Sequence, residues 1–471
     1  MSLHPRWTTR AISRSLLLPL AVALLSAATG QAQPVVVTPL HGFTSSPDGA
    51  APVGNLIFGT DNAIYGTTCR GGTNLLADGG TLFKLNRDGS GYSILRSFSK
   101  SDTGNSSSFT VMGLSVARGS DGTLYGITEA GGTNGAGTVF KLLSDGSGFA
   151  VLHNFTSTDG HPLNLIQGRD GMLYGAGYTA LFKLDTNGNN YAVLHNYTNL
   201  SAGNASFGKL VQGTDGVLYG TAYQNGPSNS GTIFKLNPAD NVFTVLHTFP
   251  SGTGDGIYPY AGLTQGSDGA LYGTTQSGDT NGLGTVFKLG TDGSGYQVLH
   301  HFAGLPDGST PDASLVPSLG NALYGTTYAG GAGNLGTIFT INLDGSGYNV
   351  LYSFTNSAIG WKPIGGLVQG PASGGSGVFY GTTSFGPTSN LGGGAFAMLV
   401  NPPLTITPVV TQAGSNQVLV TWPAWALTYV LQTTTNLAVT NWGTASNGVP
   451  MVSVLLTNNL PASYYRLVWP Q

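Results

Sequence analysis

Apolar residues recur along this chain in short bursts, many of them alternating with polar positions, and glycine-rich turns separate the bursts. LVQG, LYGTT, TVFKL and YQVLHHF are typical, rich in β-branched and aromatic residues and too short for helices. No long stretch of the repeat region shows a helical period with caps. The same four bursts return in the same order seven times. Their Tyr-Gly landmark falls at Tyr65, Tyr125, Tyr174, Tyr219, Tyr272, Tyr324 and Tyr380, at spacings of 60, 49, 45, 53, 52 and 56 residues. A period near that length, built of four short strands, predicts a propeller blade and not a solenoid rung.

Asp-Gly pairs punctuate each repeat. Asp121-Gly122, Asp170-Gly171, Asp215-Gly216 and Asp268-Gly269 fall between the first and second strands. Asp88-Gly89, Asp145-Gly146, Asp292-Gly293 and Asp344-Gly345 fall between the third and fourth. Glycine supplies the positive φ of a tight hairpin, which accounts for much of the total of 74 glycines.

The ends of the array indicate a ring. A closing run such as AVLHNF or QVLHHF follows each of the first six landmarks and ends at Phe98, Phe155, Tyr197, Phe249, Phe302 and Phe354. The seventh landmark lacks one, and the missing copy stands at the other terminus as VVVTPLHGF, ending at Phe43. An N-terminal strand that completes the last blade removes two open sheet edges. The expected fold is all-β: a seven-bladed, four-stranded β-propeller over residues 33–400, closed by its N-terminal strand.

Composition narrows the class. The first 32 residues have a basic start, an apolar stretch too short for a convincing span, and a small-x-small site at Gly30-Gln31-Ala32. They read as a secretory signal peptide. Its removal takes away Arg6, Arg10 and Arg14 and moves the net charge from −3 to −6. A mildly acidic secreted chain without a basic stripe is a poor partner for nucleic acid. No second apolar stretch of spanning length follows, so no integral membrane segment is expected in the mature chain. Cys69 is the one cysteine and can form no internal disulfide. A monomer, secreted or held at the cell surface, is the expectation.

After Pro402-Pro403, within a linker at 401–403, glycine thins out and four of the six tryptophans (Trp422, Trp425, Trp442, Trp469) appear. LTITPVV, QVLVTWP, TYVLQTTTNL, MVSVLLTNN and SYYRLVWP alternate like strands of a small β-sandwich over 404–471. Val420-Thr421-Trp422, Tyr429-Val430-Leu431-Gln432 and Tyr465-Arg466-Leu467 are similar to fibronectin type III-like modules. The repeat itself, LYGTT, GTVFKL and DGSGYxVLHxF, resembles the tandem repeat of the GloVer (Gloeo/Verruco) proteins over about residues 35–400. Those are secreted bacterial proteins with a choice of C-terminal anchoring or sorting modules. The resemblance implies a fold and a compartment, and brings no active site.

The needs of the repeat already account for most of the candidate chemistry. Glu129 is the single glutamate, and 13 of 19 aspartates precede glycine, so most acids already have a turn role. No acid stands out as half of a glycosidase pair. His41, His153, His195, His247 and His300 share one position of the closing run, as do Arg96 and Tyr352. Spread around a rim they cannot meet the short ligand distances of zinc, so they are expected to serve the blade. Lys84, Lys141, Lys183, Lys235 and Lys288 of the FKL motif receive the same reading. The DGSG turns lack the bidentate glutamate of a calcium loop. Asp48, Asp159, Asp255 and Asp307 precede Pro52, Pro162, Pro259 and Pro311 in loops that enter the innermost strands. They are candidates for a structural cation such as calcium in the central channel; no other cofactor is expected.

The strongest positional clue is asymmetry. Turns between strands one and two, and three and four, are uniform; the other connections vary and emerge together on one face. Function tends to sit on variable loops held by a rigid scaffold. Trp361, Tyr258, Tyr260, Phe109, Tyr223 and Tyr328 lie in or beside them, and aromatics among Asn, Ser, Thr and Gly suit sugar stacking and hydrogen bonding. The favoured reading is a non-catalytic scaffold that presents this face to a glycan or protein. The alternative is a polysaccharide-active hydrolase or lyase with its site at the central pocket. An acid and a basic residue at one locus there would favour the enzyme.

Overall fold

The computed structural model describes residues 35–72, 79–99, 102, 114–197, 208–224, 226–250, 254–278, 281–318, 321–355, 358–370, 377–386 and 392–400, with the backbone of six further strands beyond. Two compact units divide the chain: Val35–Gly370 with Val378–Leu399, and a second that includes Val400–Gln471. The signal-peptide region, Phe109 and the tryptophan side chains of the tail lie outside the described residues.

The first unit opens with β1 (Val35–Gly42). Blade one is β2 (Ile57–Phe58), β3 (Ile64–Thr68), β4 (Thr81–Leu85) and β5 (Ser93–Ser97); blade two is β6 (Leu114–Arg118), β7 (Leu124–Thr128), β8 (Thr138–Leu142) and β9 (Ala150–Asn154). Blade three is β10 (Pro162–Gln167), β11 (Leu173–Gly177), β12 (Ala180–Leu184) and β13 (Ala192–Asn196); blade four is β14 (Val211–Gln212), β15 (Leu218–Ala222), β16 (Thr232–Asn237) and β17 (Val242–Thr248). Blade five is β18 (Thr264–Gln265), β19 (Leu271–Thr275), β20 (Thr285–Leu289) and β21 (Gln297–His301); blade six is β22 (Val316–Pro317), β23 (Ala322–Thr327), β24 (Thr337–Asn342) and β25 (Asn349–Ser353). Blade seven takes β26 (Val368–Gln369), β27 (Gly377–Thr383) and β28 (Gly394–Val400), and β1 pairs outside β28 as its fourth strand. The N-terminal strand therefore closes the ring, as the displaced closing run predicts.

The hydrophobic core lies between blades. Tyr65, Leu82 and Phe98 of blade one pack with Val116, Leu124, Phe140 and Leu142 of blade two. Across the closure, Phe43, Tyr380 and Ala395 pack with Leu56, Ile64, Phe83 and Leu85. The Tyr-Gly landmark has a steric cause: Gly126 pairs with Phe140, and a Cβ on Gly126 would sit 2.2 Å from the Phe140 ring. The equivalent glycine meets the equivalent phenylalanine in the other blades, for example Gly175 with Phe182.

A register shift recurs between strands three and four, as at Val139/Phe140. Such a bulge re-aims side chains. Consecutive residues Leu152 and His153 consequently both face blade three, Leu152 in its core and His153 on Tyr191. The second unit holds β29 (Val409–Gly414), β30 (Gln417–Thr421), β31 (Val430–Thr434), β32 (Gly443–Thr444), β33 (Ser453–Thr457) and β34 (Tyr464–Val468). They form two antiparallel three-stranded sheets, β29-β30-β33 and β32-β31-β34.

Candidate functional site at the channel mouth

The repeated polar residues occupy the rim. His41, His153, His247 and His300 of the outer strands stack on Tyr92, Tyr191, Tyr296 and Tyr348 of the following blades, with ring centroids 3.6–3.9 Å apart. His195 stacks on Phe243, and Arg96 covers Phe149 in the same way. Burial lowers the pKa of His41, His153, His195 and His247, against the nearby aspartates where there is one. FKL lysines also serve the blade: Lys84 and Lys288 reach turn residues Asp61 and Asp268 at 2.7 and 2.8 Å.

The candidate cation ligands need correcting in position. Asp48, Asp159, Asp255 and Asp307 sit on the rim and not at the channel, each beside the histidine of the preceding closing strand at 3.1–3.9 Å. The aspartate opens its loop, several residues before the proline that reaches the inner strand, so each stays in its own blade junction. Among the described residues no group of three or more His, Cys, Asp or Glu could hold one metal ion.

The loop face is different. The residue that follows the second strand is, around the ring, Cys69, Glu129, Tyr178, Tyr223, Gln276, Tyr328 and Ser384. This position changes chemistry from blade to blade, as does the residue after it, whereas the Tyr-Gly pair a few residues before repeats in every blade. Opposite it stands the residue before the loop proline. Ala51, Tyr258, Thr310 and Lys362 there have φ between +50° and +61°. Positive φ is unusual for side-chain-bearing residues and for any residue before proline. Blade-to-blade hydrogen bonds hold it: Tyr258 N–H donates to the Ser230 carbonyl at 2.8 Å, and Gln276 N–H donates to the Tyr258 carbonyl at 2.9 Å. Such strain concentrates at functional sites.

Side chains from five blades meet on this face. The Tyr178 hydroxyl donates to Glu129 Oε1 at 3.0 Å, and His161 Nδ1–H donates to the Glu129 carbonyl at 2.9 Å. The Tyr223 hydroxyl donates to Gln276 Oε1 at 3.1 Å, and Gln276 Nε2 donates to Asp312 Oδ1 at 2.8 Å. Tyr223 packs on Tyr258 and Tyr260 with centroids 5.1 and 5.6 Å apart. Tyr260 lines the channel cavity with Asp312, and burial, then Asp312, and more weakly Glu129, raise its pKa. Elsewhere on the face Lys362 Nζ donates to the Tyr328 hydroxyl at 3.2 Å, and Trp361 stacks on Phe385 at 6.2 Å. Tyr223, Tyr258 and Tyr260 thus form one cluster, while Tyr328 and Trp361 form separate contacts.

Below Tyr260 and Asp312 the channel holds a cavity of about 40 Å³ lined from all seven blades, with Asn55, Ser115, Asn164, Lys209 and Ser314 contributing polar groups. That is room for about three waters. Burial pushes the Asp312 carboxyl up to about 7, against the Gln276 hydrogen bond. Burial also raises the Glu129 carboxyl and lowers the Lys209 ammonium. Lys209 retains access to the cavity although it lies well inside the ring, and it forms no ion pair with either acid.

The family model described as the Gloeobacter/Verrucomicrobia repeat matches residues 29–212, 112–268 and 207–450. The chain belongs to this family. No curated protein matches it in sequence. Among solved structures, this repeat protein is similar to the extracellular domain of BT4673 from B. thetaiotaomicron, at 12% identity and a TM-score of 0.51, covering 93% of this chain and 59% of that one. It is similar to the BT3049 extracellular domain from the same organism, at 12% identity and TM-score 0.50, covering 91% and 57%. A third is PorZ, a surface component of the type-IX secretion system of Porphyromonas gingivalis, at 14% identity and TM-score 0.50, covering 92% and 59%. The chain spans less than two thirds of those proteins, and at such identity the likeness is one of fold. Among the described residues no helix is long and apolar enough to cross a membrane.

In this Gloeobacter/Verrucomicrobia repeat chain, sequence reasoning passed over Glu129, Asp312 and Lys209. Two signals could have found the acids. Asp312 is one of the few aspartates not followed by glycine, which frees it from a turn role, and Glu129 is the single glutamate, at a position whose chemistry changes from repeat to repeat. Lys209 gave no such signal.

Proposed function

We propose that this protein is a secreted, non-catalytic interaction scaffold that presents the loop face of its propeller to a glycan or protein, a glycan being the better fit. One observation carries the reading: two sets of loop residues, Glu129, Tyr178, Tyr223 and Gln276 after the second strands and Tyr258, Tyr260 and Asp312 beside the loop prolines, meet at the channel mouth. Half-exposed aromatics with hydroxyl and amide groups suit sugar rings. The leader is read as a signal peptide, and the two sheets of the second unit as a fibronectin type III-like module that folds by itself. An NMR spectrum of residues 404–471 without dispersed amide signals would sink that last assignment.

A second reading has its own observation. Asp312 and Lys209 line one cavity with Glu129 near Tyr260, which places acid and base at one locus as an enzyme would need. The size argues against it, because ligand pockets commonly enclose about 300–1,000 Å³ and this cavity holds only a few waters. The test pairs a glycan array on the mature protein with a polysaccharide panel assayed for new reducing ends. Binding without turnover supports the scaffold; turnover abolished by Asp312→Asn would replace it with the enzyme.

A further inference from the structure

The two acids at the mouth have no cation in ion-pair contact among the described residues, although Lys209 lines the same cavity as Asp312. Glu129 is only 7% exposed, yet its Oε2 has no hydrogen-bond partner among the described residues. Asp312 gives one oxygen to Gln276 and lines the cavity. Neither carboxyl forms an ion pair among the described residues. The groups facing them are Tyr178, Tyr223, Tyr260, Gln276 and His161, with Lys209 deeper in the channel. Phenol and amide donors satisfy carboxylate lone pairs but carry no charge to neutralise them, and a buried carboxylate with an orphan oxygen is costly. An ammonium group supplies both the charge and up to three N–H donors. Tyrosine rings are also the surfaces over which such a cation settles.

We propose that the channel mouth recognises a primary ammonium carried on a glycan, an amino sugar, held between the Glu129 and Asp312 carboxyls against the tyrosine cluster. This rests on the loop-face binding reading and names its ligand class. A glycan is favoured over a lysine-rich protein because the surrounding hydroxyls and amides match a ring that bears several hydroxyls. An extended basic chain would need further acids, and the mouth offers only these two among the described residues.

Isothermal titration of the mature protein with a chitosan tetrasaccharide and with its fully N-acetylated counterpart tests this, because the two differ only at the amine. The free amine should bind at least tenfold more tightly, and Glu129→Gln with Asp312→Asn should erase that preference. Both changes are isosteric, and a thermal melt confirms the variant is folded. Equal affinity for the two sugars, no binding of the chitosan, a preference that survives in the double variant, or tighter binding of a lysine tetrapeptide would overturn the proposal. Failure of the underlying reading looks different: Trp361→Ala with Tyr260→Ala would then leave binding to any array-positive glycan unchanged.

Discussion

The rim and the mouth of this propeller are built from the same repeats and follow opposite rules. At the rim the same contact recurs, a histidine stacked on the next blade's tyrosine, with a loop aspartate beside it in four blades. At the mouth no two adjacent contacts are alike: a glutamate takes a tyrosine hydroxyl, a glutamine bridges a tyrosine to an aspartate, and a lysine meets a tyrosine. Repetition marks what the ring needs to stand. Variation against that constant background marks what the ring presents. Titration follows the same division, since His41, His153, His195 and His247 of the rim resist charging in acid while the mouth acids resist charging toward alkali.

The largest effect should come from breaking the ring itself. Deleting residues 33–43 strips β1 from β28 and exposes an unpaired edge. Aggregation on size-exclusion chromatography or a collapse of the melting temperature is expected. A monomer that melts like the parent would mean that closure matters less than the strand order implies. Next, Phe140→Ala empties the contact that dictates the Gly126 position and should cost about 3–5 kcal/mol in chemical denaturation.

The third change has the opposite sign and sharpens the comparison. Asp312 has a folded pKa near 7, above its unfolded value. Below about pH 4 both states hold the proton and nothing is lost. As pH rises the unfolded chain releases it first, so folding stability falls until about pH 7 and stays reduced above it. Asp312→Asn should therefore stabilise the protein at pH 8 by up to about 4 kcal/mol and change little at pH 4. Equal melting shifts at both pH values would refute the buried-acid account. The rim acts the other way: with lowered histidine pKa values, its contribution is present above pH ~6.5 and is lost as pH falls below it.

The smallest expected change separates the regions by function. His153→Ala removes one ring stack and should cost about 1 kcal/mol. Glycan affinity should stay within a factor of two or three. Replacing Trp361 and Tyr260 together should instead act on binding, weakening it by about tenfold or more, with some loss of melting temperature from the packed Tyr260 ring. If the histidine variant lost binding while folded, the division between rim and mouth would fail.

The repeat, the strand count and the closing strand could be read from sequence because their causes are local. An Asp-Gly turn needs positive φ at Gly146, and a strand needs a small residue where Phe140 lies across it. The missing closing run at Tyr380 and its copy before Phe43 likewise sit in plain order along the chain. The aromatic loop residues were partly legible, since Tyr223, Tyr258 and Tyr260 do come together. Placement of Asp48, Asp159, Asp255 and Asp307 was not, because where a loop residue stops between rim and channel depends on the path of the loop. Nor was the meeting of Glu129, Tyr178, Tyr260, Asp312 and Lys209. They come from five blades and approach only because ring closure turns every inner strand toward one axis, so their buried charges and altered proton affinities belong to the tertiary structure alone.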